Sequence, residues 1–140
     1  NGFWEGKEVK ITKVKEILKA KKETPSLIFV NPKDKLTKAV KLMHQYNISQ
    51  LPVIENNKLI GSLDEASLMK FSHDGINFAE QEISAVMGKS LPTMEEDVDM
   101  AEAYRLLLSG TSGLIITRNK FPVGVITRVD LINYWITQKG

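Results

Sequence analysis

Apolar positions in this chain repeat on two scales. Short apolar runs alternate with polar turns and with stretches of helical spacing, and the whole order then occurs a second time. Gln50-Leu-Pro-Val-Ile-Glu-Asn-Asn-Lys-Leu-Ile-Gly61 returns in altered form as Gly113-Leu-Ile-Ile-Thr-Arg-Asn-Lys-Phe-Pro-Val-Gly124, with the closing glycines 63 positions apart. Each copy is an apolar run, a polar turn, a second apolar run and a glycine, the pattern of a strand–turn–strand unit. A repeat at fixed spacing decides the architecture before other features do.

Around these units the remaining elements fall into the same order twice. Thr12 is placed to cap a short helix whose Val14, Ile17 and Leu18 share one face. Leu27-Ile-Phe-Val30 reads as a short buried strand. Asp34 is the expected cap of a helix carrying Leu36, Ala39, Val40 and Met43 inward, to about Tyr46. Strands are expected at 51–54 and 59–63 about a turn at Asn56-Asn57, then a helix over 65–72. In the second half Ile83, Val86 and Met87 echo Val14, Ile17 and Leu18, and Leu91-Pro-Thr-Met94 echoes the strand at 27–30. Asp99 and Glu102 have capping-box spacing ahead of a helix with Met100, Ala103, Tyr104 and Leu107 on its inner face. Gly110 suits that helix's C-terminus. Strands at 114–117 and 123–126 and a helix from Thr127 to about Gln138 complete the half.

The expected fold is therefore α/β: two repeats, each a small sheet with flanking helices. Residues 1–10 read as a linker from an upstream domain, 11–73 as the first repeat, 74–82 as a connector and 83–140 as the second repeat. Each half is small for independent stability, so the two sheets are expected to pack together about a pseudo-twofold axis.

Composition narrows the class. The 140 residues include 42% hydrophobic and 26% charged side chains, a globular balance that argues against wholesale disorder. The net charge of +2 carries its basic excess in the first forty positions, as interspersed lysines without aromatic or arginine interleaving. That is the pattern of a solvated helix face, and no nucleic-acid partner is expected. With no cysteine there is neither a disulfide framework nor a thiolate metal site. No apolar run is long enough to span a bilayer and nothing reads as a signal peptide, so a soluble, cytoplasmic domain without a membrane partner is expected. Asn1-Gly-Phe-Trp starts without methionine and reads as if cut from a longer chain.

Catalytic and metal signatures are missing. There is no GxxxxGK[ST], GxGxxG or HExxH, and His44 and His73 lack partners at metal-ligand spacing. No serine or threonine has the context of an activated nucleophile, so no enzyme is expected. The one informative pair is Thr127 and Asp130, which only the second copy carries, in Val125-Ile-Thr127-Arg-Val-Asp130. Thr-x-x-Asp opening a helix resembles a capping box, which stabilises the first turn by roughly 1 kcal/mol. The same geometry serves a ligand: free N–H groups and a partial positive charge mark a helix N-terminus, and an aspartate there can accept both hydroxyls of a ribose.

Two copies of an apolar strand, a polar turn, h-h-G-h-h-[ST]-x-x-D and a closing helix resemble a tandem pair of cystathionine-β-synthase (CBS) domains, the Bateman module, over about residues 10–138. The most specific parts are Gln50-Leu-Pro-Val and Gly124-Val-Ile-Thr-Arg-Val-Asp130. Such modules bind adenosyl compounds (AMP, ADP, ATP or S-adenosylmethionine) between the repeats, usually dimerise into a flat disk and regulate an attached domain. The resemblance implies that Asp130 holds the ribose and Thr127 the ribose or a phosphate, with Val125 and Arg128 beside them. It implies that Ser26 and Leu27 line the adenine, and that Ile48 and Gln50 cover the adenine and the methionyl or phosphate end. Arg128 beside the clamp would favour a phosphate, although a first-turn arginine is expected to face solvent.

In the first copy the corresponding residues are Asp64 and Ser67. An acid in place of the threonine would repel a phosphate, so one competent site is expected around Asp130 and a degenerate second one. Asn1-Gly-Phe-Trp-Glu and Gln50 further resemble the regulatory region of a cystathionine β-synthase. That likeness implies S-adenosylmethionine as ligand, a homodimer, and an upstream pyridoxal-phosphate catalytic domain.

Overall fold

A computed structural model describes residues 11–21 and 25–139; the linker expected at 1–10 lies outside the described residues. Helix α1 (Val14–Ala20) leads into α2 (Leu36–Tyr46), the hairpin β1 (Gln50–Glu55) and β2 (Lys58–Asp64), and α3 (Glu65–His73). After a single 3-10 turn at Ile83–Ala85, the second half repeats the order with β3 (Thr93–Glu95), α4 (Met100–Leu108), β4 (Gly113–Arg118), β5 (Phe121–Thr127) and α5 (Arg128–Lys139). Helices and small sheets pack about a pseudo-twofold axis, the architecture the duplicated pattern calls for.

Both hairpins share one irregularity. The antiparallel register slips between Val53 and Ile54 and, 63 positions on, between Ile116 and Thr117. Both turns place two residues at positive φ: Asn56 at 51° and Asn57 at 63°, Asn119 at 51° and Lys120 at 73°. Asparagine tolerates this left-handed region, whereas a lysine there is strained. The Glu95 carboxylate holds that strained turn by accepting the N–H groups of Asn119 and Lys120 at 2.9 and 3.1 Å and the Thr117 hydroxyl.

The cores cross the repeat boundary. Val14 and Ile17, at the start of the first repeat, are buried with Met94, Ala103, Leu107, Leu114, Ile116 and Ile126 of the second. Ile83, at the start of the second repeat, is buried with Val30, Leu36, Ala39, Met43, Leu51, Val53 and Leu63 of the first. The closing glycines follow from this exchange: a Cβ on Gly124 would come within 2.6 Å of Leu18 Cδ2, and one on Gly61 within 2.7 Å of Met87 Sδ. Helix ends are satisfied across the same boundary. Leu36 N–H donates to Gln81 O at 3.0 Å and Met100 N–H to Thr12 O at 2.8 Å, which relieves N-terminal donors that a lone helix leaves open.

Several local expectations change for that reason. Thr12 does not cap α1; Glu16 accepts the Lys13 N–H at 2.8 Å instead. The residue at the N-cap of α2 is Lys35, and Asp34 closes the preceding turn by accepting from Asn31 N–H at 2.9 Å. Asp99 does cap α4, through Ala101 N–H at 2.9 Å, but Glu102 pairs with Arg105 rather than closing a capping box. Tyr104 is 46% exposed, stacked on Trp135 of α5 at 6.1 Å between ring centroids. Residues 27–30 form no strand. Only Val30 bridges to Val53, Phe29 is exposed, and the backbone at Ser26 pairs with the other half, accepting Val125 N–H at 2.9 Å.

Candidate functional site

The segment before Val30 lies between the halves because its hydrogen bonds run both ways. Val30 joins β1, while Ser26 O takes Val125 N–H and Ser26 Oγ donates to Val123 O at 3.3 Å. Between this segment, the end of α2 and the β5–α5 junction lies a cleft of about 470 Å³. That volume is in the range of small-molecule sites, typically about 300–1,000 Å³.

At its floor Asp130, the third residue of α5, folds back over Thr127. One oxygen, Oδ2, accepts the Thr127 N–H at 2.8 Å and the Thr127 hydroxyl at 3.1 Å. The same oxygen lies 3.0 Å from Lys21 Nζ, and that ammonium also donates to Val125 O at 2.7 Å. The ion pair is mostly shielded, with the two side chains 17% and 16% exposed. A carboxylate offers about four lone-pair sites, so Asp130 retains acceptor capacity with three donors in place.

On the opposite wall Gln50, only 7% exposed, donates from Nε2 to Ser112 O at 3.0 Å and accepts the Ser112 hydroxyl through Oε1. Its amide rests on Gly113, where a Cβ would collide with Nε2. Gln50 and Gly113 are equivalent positions of the two copies, so this side chain packs across the pseudo-axis onto its own counterpart.

Of the residues expected to contact a ligand, Thr127, Asp130, Gln50, Ile48, Ser26, Val125 and Arg128 line this cleft. Leu27 does not. Ser26 and Ile28 both do, as alternate residues of a non-helical segment share a face. Arg128 was expected to face solvent; although exposed, it donates from Nε to Leu107 O at 2.8 Å, satisfying a carbonyl near the end of α4. Lys21, which lines the cleft beside Asp130, is the residue that the sequence does not single out. It is one of several interspersed lysines, and no local pattern sets it apart.

The first copy solves the same capping problem in reverse. There Asp64, in the place of Thr127, accepts from Ser67 N–H at 2.7 Å, whereas in the second copy Asp130, in the place of Ser67, reaches back to Thr127. Ser62 and Gly88 also exchange two backbone bonds, at 3.1 and 2.9 Å, drawing the segment after the 3-10 turn against β2.

Outside the cleft, a group of charged residues about β3 and the β4–β5 turn is mutually perturbed in pKa. Glu95 is held low first by the Thr117 hydroxyl, Glu96 by Arg118 and Asp97 by Lys15, while Lys15 and Arg118 are raised by those same partners. Among the described residues no three His, Cys, Asp or Glu side chains converge on a metal position. No helix among them is long and apolar enough to cross a membrane.

Two interleaved repeats with a cleft between them define a tandem-repeat module. A family model described as CBS domain matches residues 14–74 and again 83–136, and the chain belongs to that family, with two copies of the domain. A curated relative, an uncharacterized protein of Methanocaldococcus jannaschii, is 27% identical over 105 residues, which cover 74% of this chain and 34% of the relative. The chain spans between a third and a half of the length of the first curated relatives it matches. Among solved structures, CBSX2 in complex with AMP aligns with a TM-score of 0.73 at 21% identity, covering 91% of this chain and 98% of that one. The CBS domain pair of protein MJ0100, in complex with 5′-methylthioadenosine and S-adenosyl-L-methionine, aligns with a TM-score of 0.72 at 23% identity, covering 92% and 99%. At these identities the likeness is one of fold.

Proposed function

We propose that this chain is a regulatory module that binds an adenosyl ligand in the cleft at Asp130 and passes its occupancy to an attached domain. The observation that carries the reading is the cleft itself: about 470 Å³ between the halves, with the Thr127–Asp130 pair on one wall and Gln50 on the other. A ribose diol would donate to the free capacity of Asp130, and the adenine would lie between Ser26, Ile28 and Ile48. The structures of AMP-bound CBSX2 and of the MJ0100 pair with S-adenosyl-L-methionine support the ligand class. The likeness of the first residues to a cystathionine β-synthase favours S-adenosylmethionine and a pyridoxal-phosphate domain upstream, with AMP, ADP or ATP and another regulated domain as the alternative.

A thermal-shift panel with adenosine, AMP, ADP, ATP and S-adenosylmethionine tests the class. A ligand at 100 times its dissociation constant stabilises by about 2.7 kcal/mol. Asp130→Ala should remain folded and lose the shift; full binding by that variant would reduce Asp130 to a helix cap.

A second reading, a dimerisation element without a small ligand, is favoured by the apolar groove of about 220 Å³ between α4 and α5. Leu108 and Ile132, in its lining, are 70% and 55% exposed. A second copy of this chain is the occupant we assign to it, as the family resemblance implies. Leu108→Glu should then turn a dimer into a monomer in sedimentation velocity, and an unchanged wild-type monomer would remove the assignment.

A further inference from the structure

The two halves correspond position by position, yet the outer faces of their helix pairs differ in chemistry. Buried Ala39 and Met43 of α2 answer to buried Ala103 and Leu107 of α4, and buried Leu68 of α3 answers to Leu131 of α5. With the same alignment the exposed residues part company. The first half shows His44, Ser72 and His73 where the second shows Leu108, Trp135 and Ile136. Both histidines of the chain therefore lie on the first-half face.

The first half serves as an internal control. Its helices pack on their sheet with polar residues at these three places, so the fold itself does not call for apolar ones there. On α5 the exposed Val129, Ile132 and Ile136 are spaced to share one helical face. Among the described residues lining the adjoining groove, Arg128 alone is charged, and its Nε is engaged by Leu107 O. A contiguous apolar face that internal packing does not need marks a surface to be covered.

The pairing of such a face is constrained by what lies opposite it. If the first half of a second chain covered it, His44, Ser72 and His73 would be set against Leu108, Trp135 and Ile136. Polar groups buried without partners are unfavourable. The second half of that chain presents no such mismatch, and a two-fold axis lays the apolar face on its own equivalent. Resting on the assignment of a second chain to this groove, we infer that the dimer closes through the second halves alone. Helices α4 and α5 of one protomer meet α4 and α5 of its partner, and α2 and α3 stay in water. Arg128 lines both the groove and the ligand cleft, so the clefts of the two protomers flank this one seam.

Sedimentation velocity of the full chain and four single variants tests the arrangement. Ile132→Glu and Ile136→Glu should each raise the dimer dissociation constant at least roughly a hundredfold, because a two-fold interface counts every substitution twice. Met69→Glu and His73→Glu, at the matching positions of the first half, should change it by no more than about twofold. All four positions are exposed, and unchanged circular dichroism shows that folding is not the cause. The cysteine-free chain also takes a single spin label cleanly. A label on Asn133→Cys should lie closer to its own copy across the dimer than one on the matching Lys70→Cys. Equal or reversed label distances, a dimer weakened as much by Met69→Glu as by Ile132→Glu, or one indifferent to both second-half variants overturns the arrangement and leaves a dimer standing. A wild-type chain that stays monomeric removes the second chain from the groove, and the inference with it.

Discussion

Asp130 accepts both the backbone N–H and the hydroxyl of Thr127 on one oxygen, at 2.8 and 3.1 Å. One carboxylate thus starts α5 and faces the cleft, and the two roles separate by mutation. Thr127→Val keeps the backbone bond and removes the hydroxyl, so it should cost about 0.5–1.5 kcal/mol of stability and weaken adenosyl binding. Asp64→Ala, which removes the N-cap of α3, should cost about 1 kcal/mol and leave binding untouched. Chemical denaturation and titration calorimetry on both variants check the contrast.

Gly113→Ala should destabilise although glycine is conformationally costly in a strand. The added methyl would push away the buried Gln50 amide and break its two bonds to Ser112. Leaving such groups unpaired costs about 1–3 kcal/mol. In a double-mutant cycle with Gln50→Ala, much of the penalty should vanish, because the collision then has no second partner.

Acid should loosen the β3–turn region before the rest. Glu95, Glu96 and Asp97 all have folded pKa values below the ordinary 4.5 for glutamate and 3.8 for aspartate. A depressed folded pKa gives stability that is complete above the ordinary value and lost as pH falls through the folded one. The melting temperature should therefore hold above about pH 5 and decline below pH 4.5, the ordinary glutamate value. Salt should weaken the exposed Glu96–Arg118 pair. The Glu95 bonds are to neutral donors and should persist, so in high salt Glu95→Gln should destabilise more than Glu96→Gln.

The exchanged cores predict one unfolding transition for both halves. Ile17→Ala, in α1, should cost about 2–5 kcal/mol and lower the melting of β4 and β5, with which it is buried, together with the first half. Hydrogen exchange read at β1 and β4 should give a common opening free energy; separate values would mean the halves fold apart.

Hairpins and glycines were legible because their signal is local. Alternating apolar runs about an Asn-containing turn specify β1–β2 and β4–β5 to within a residue or two, and Gly61 and Gly124 stand where their strands are closely approached. Elements that answer to a distant partner were not. Residues 27–30 look like a strand by composition, yet Val30 exchanges backbone bonds with Pro52 and Ile54 while the preceding Ser26 accepts from Val125 of the other half. Tyr104 has inner-face spacing but stacks outward on Trp135. Thr127 and Asp130 were visible as a pair, while Lys21 joins them only through the packing of α1 on the second half, which no stretch of sequence records.

The contact between Gln50 and Gly113 bears on the ancestry of the chain. A duplication begins with two identical halves, and near its pseudo-axis a residue meets its own copy. Two glutamines would collide there, because even a single added methyl on Gly113 meets the Gln50 amide, and two glycines would leave Ser112 without that partner. Divergence at this spot therefore has a direction: once one copy lengthened and the other shrank, neither half could be replaced by a duplicate of its sibling. A chimera of two first halves or of two second halves should fail at this position even where every other residue is native.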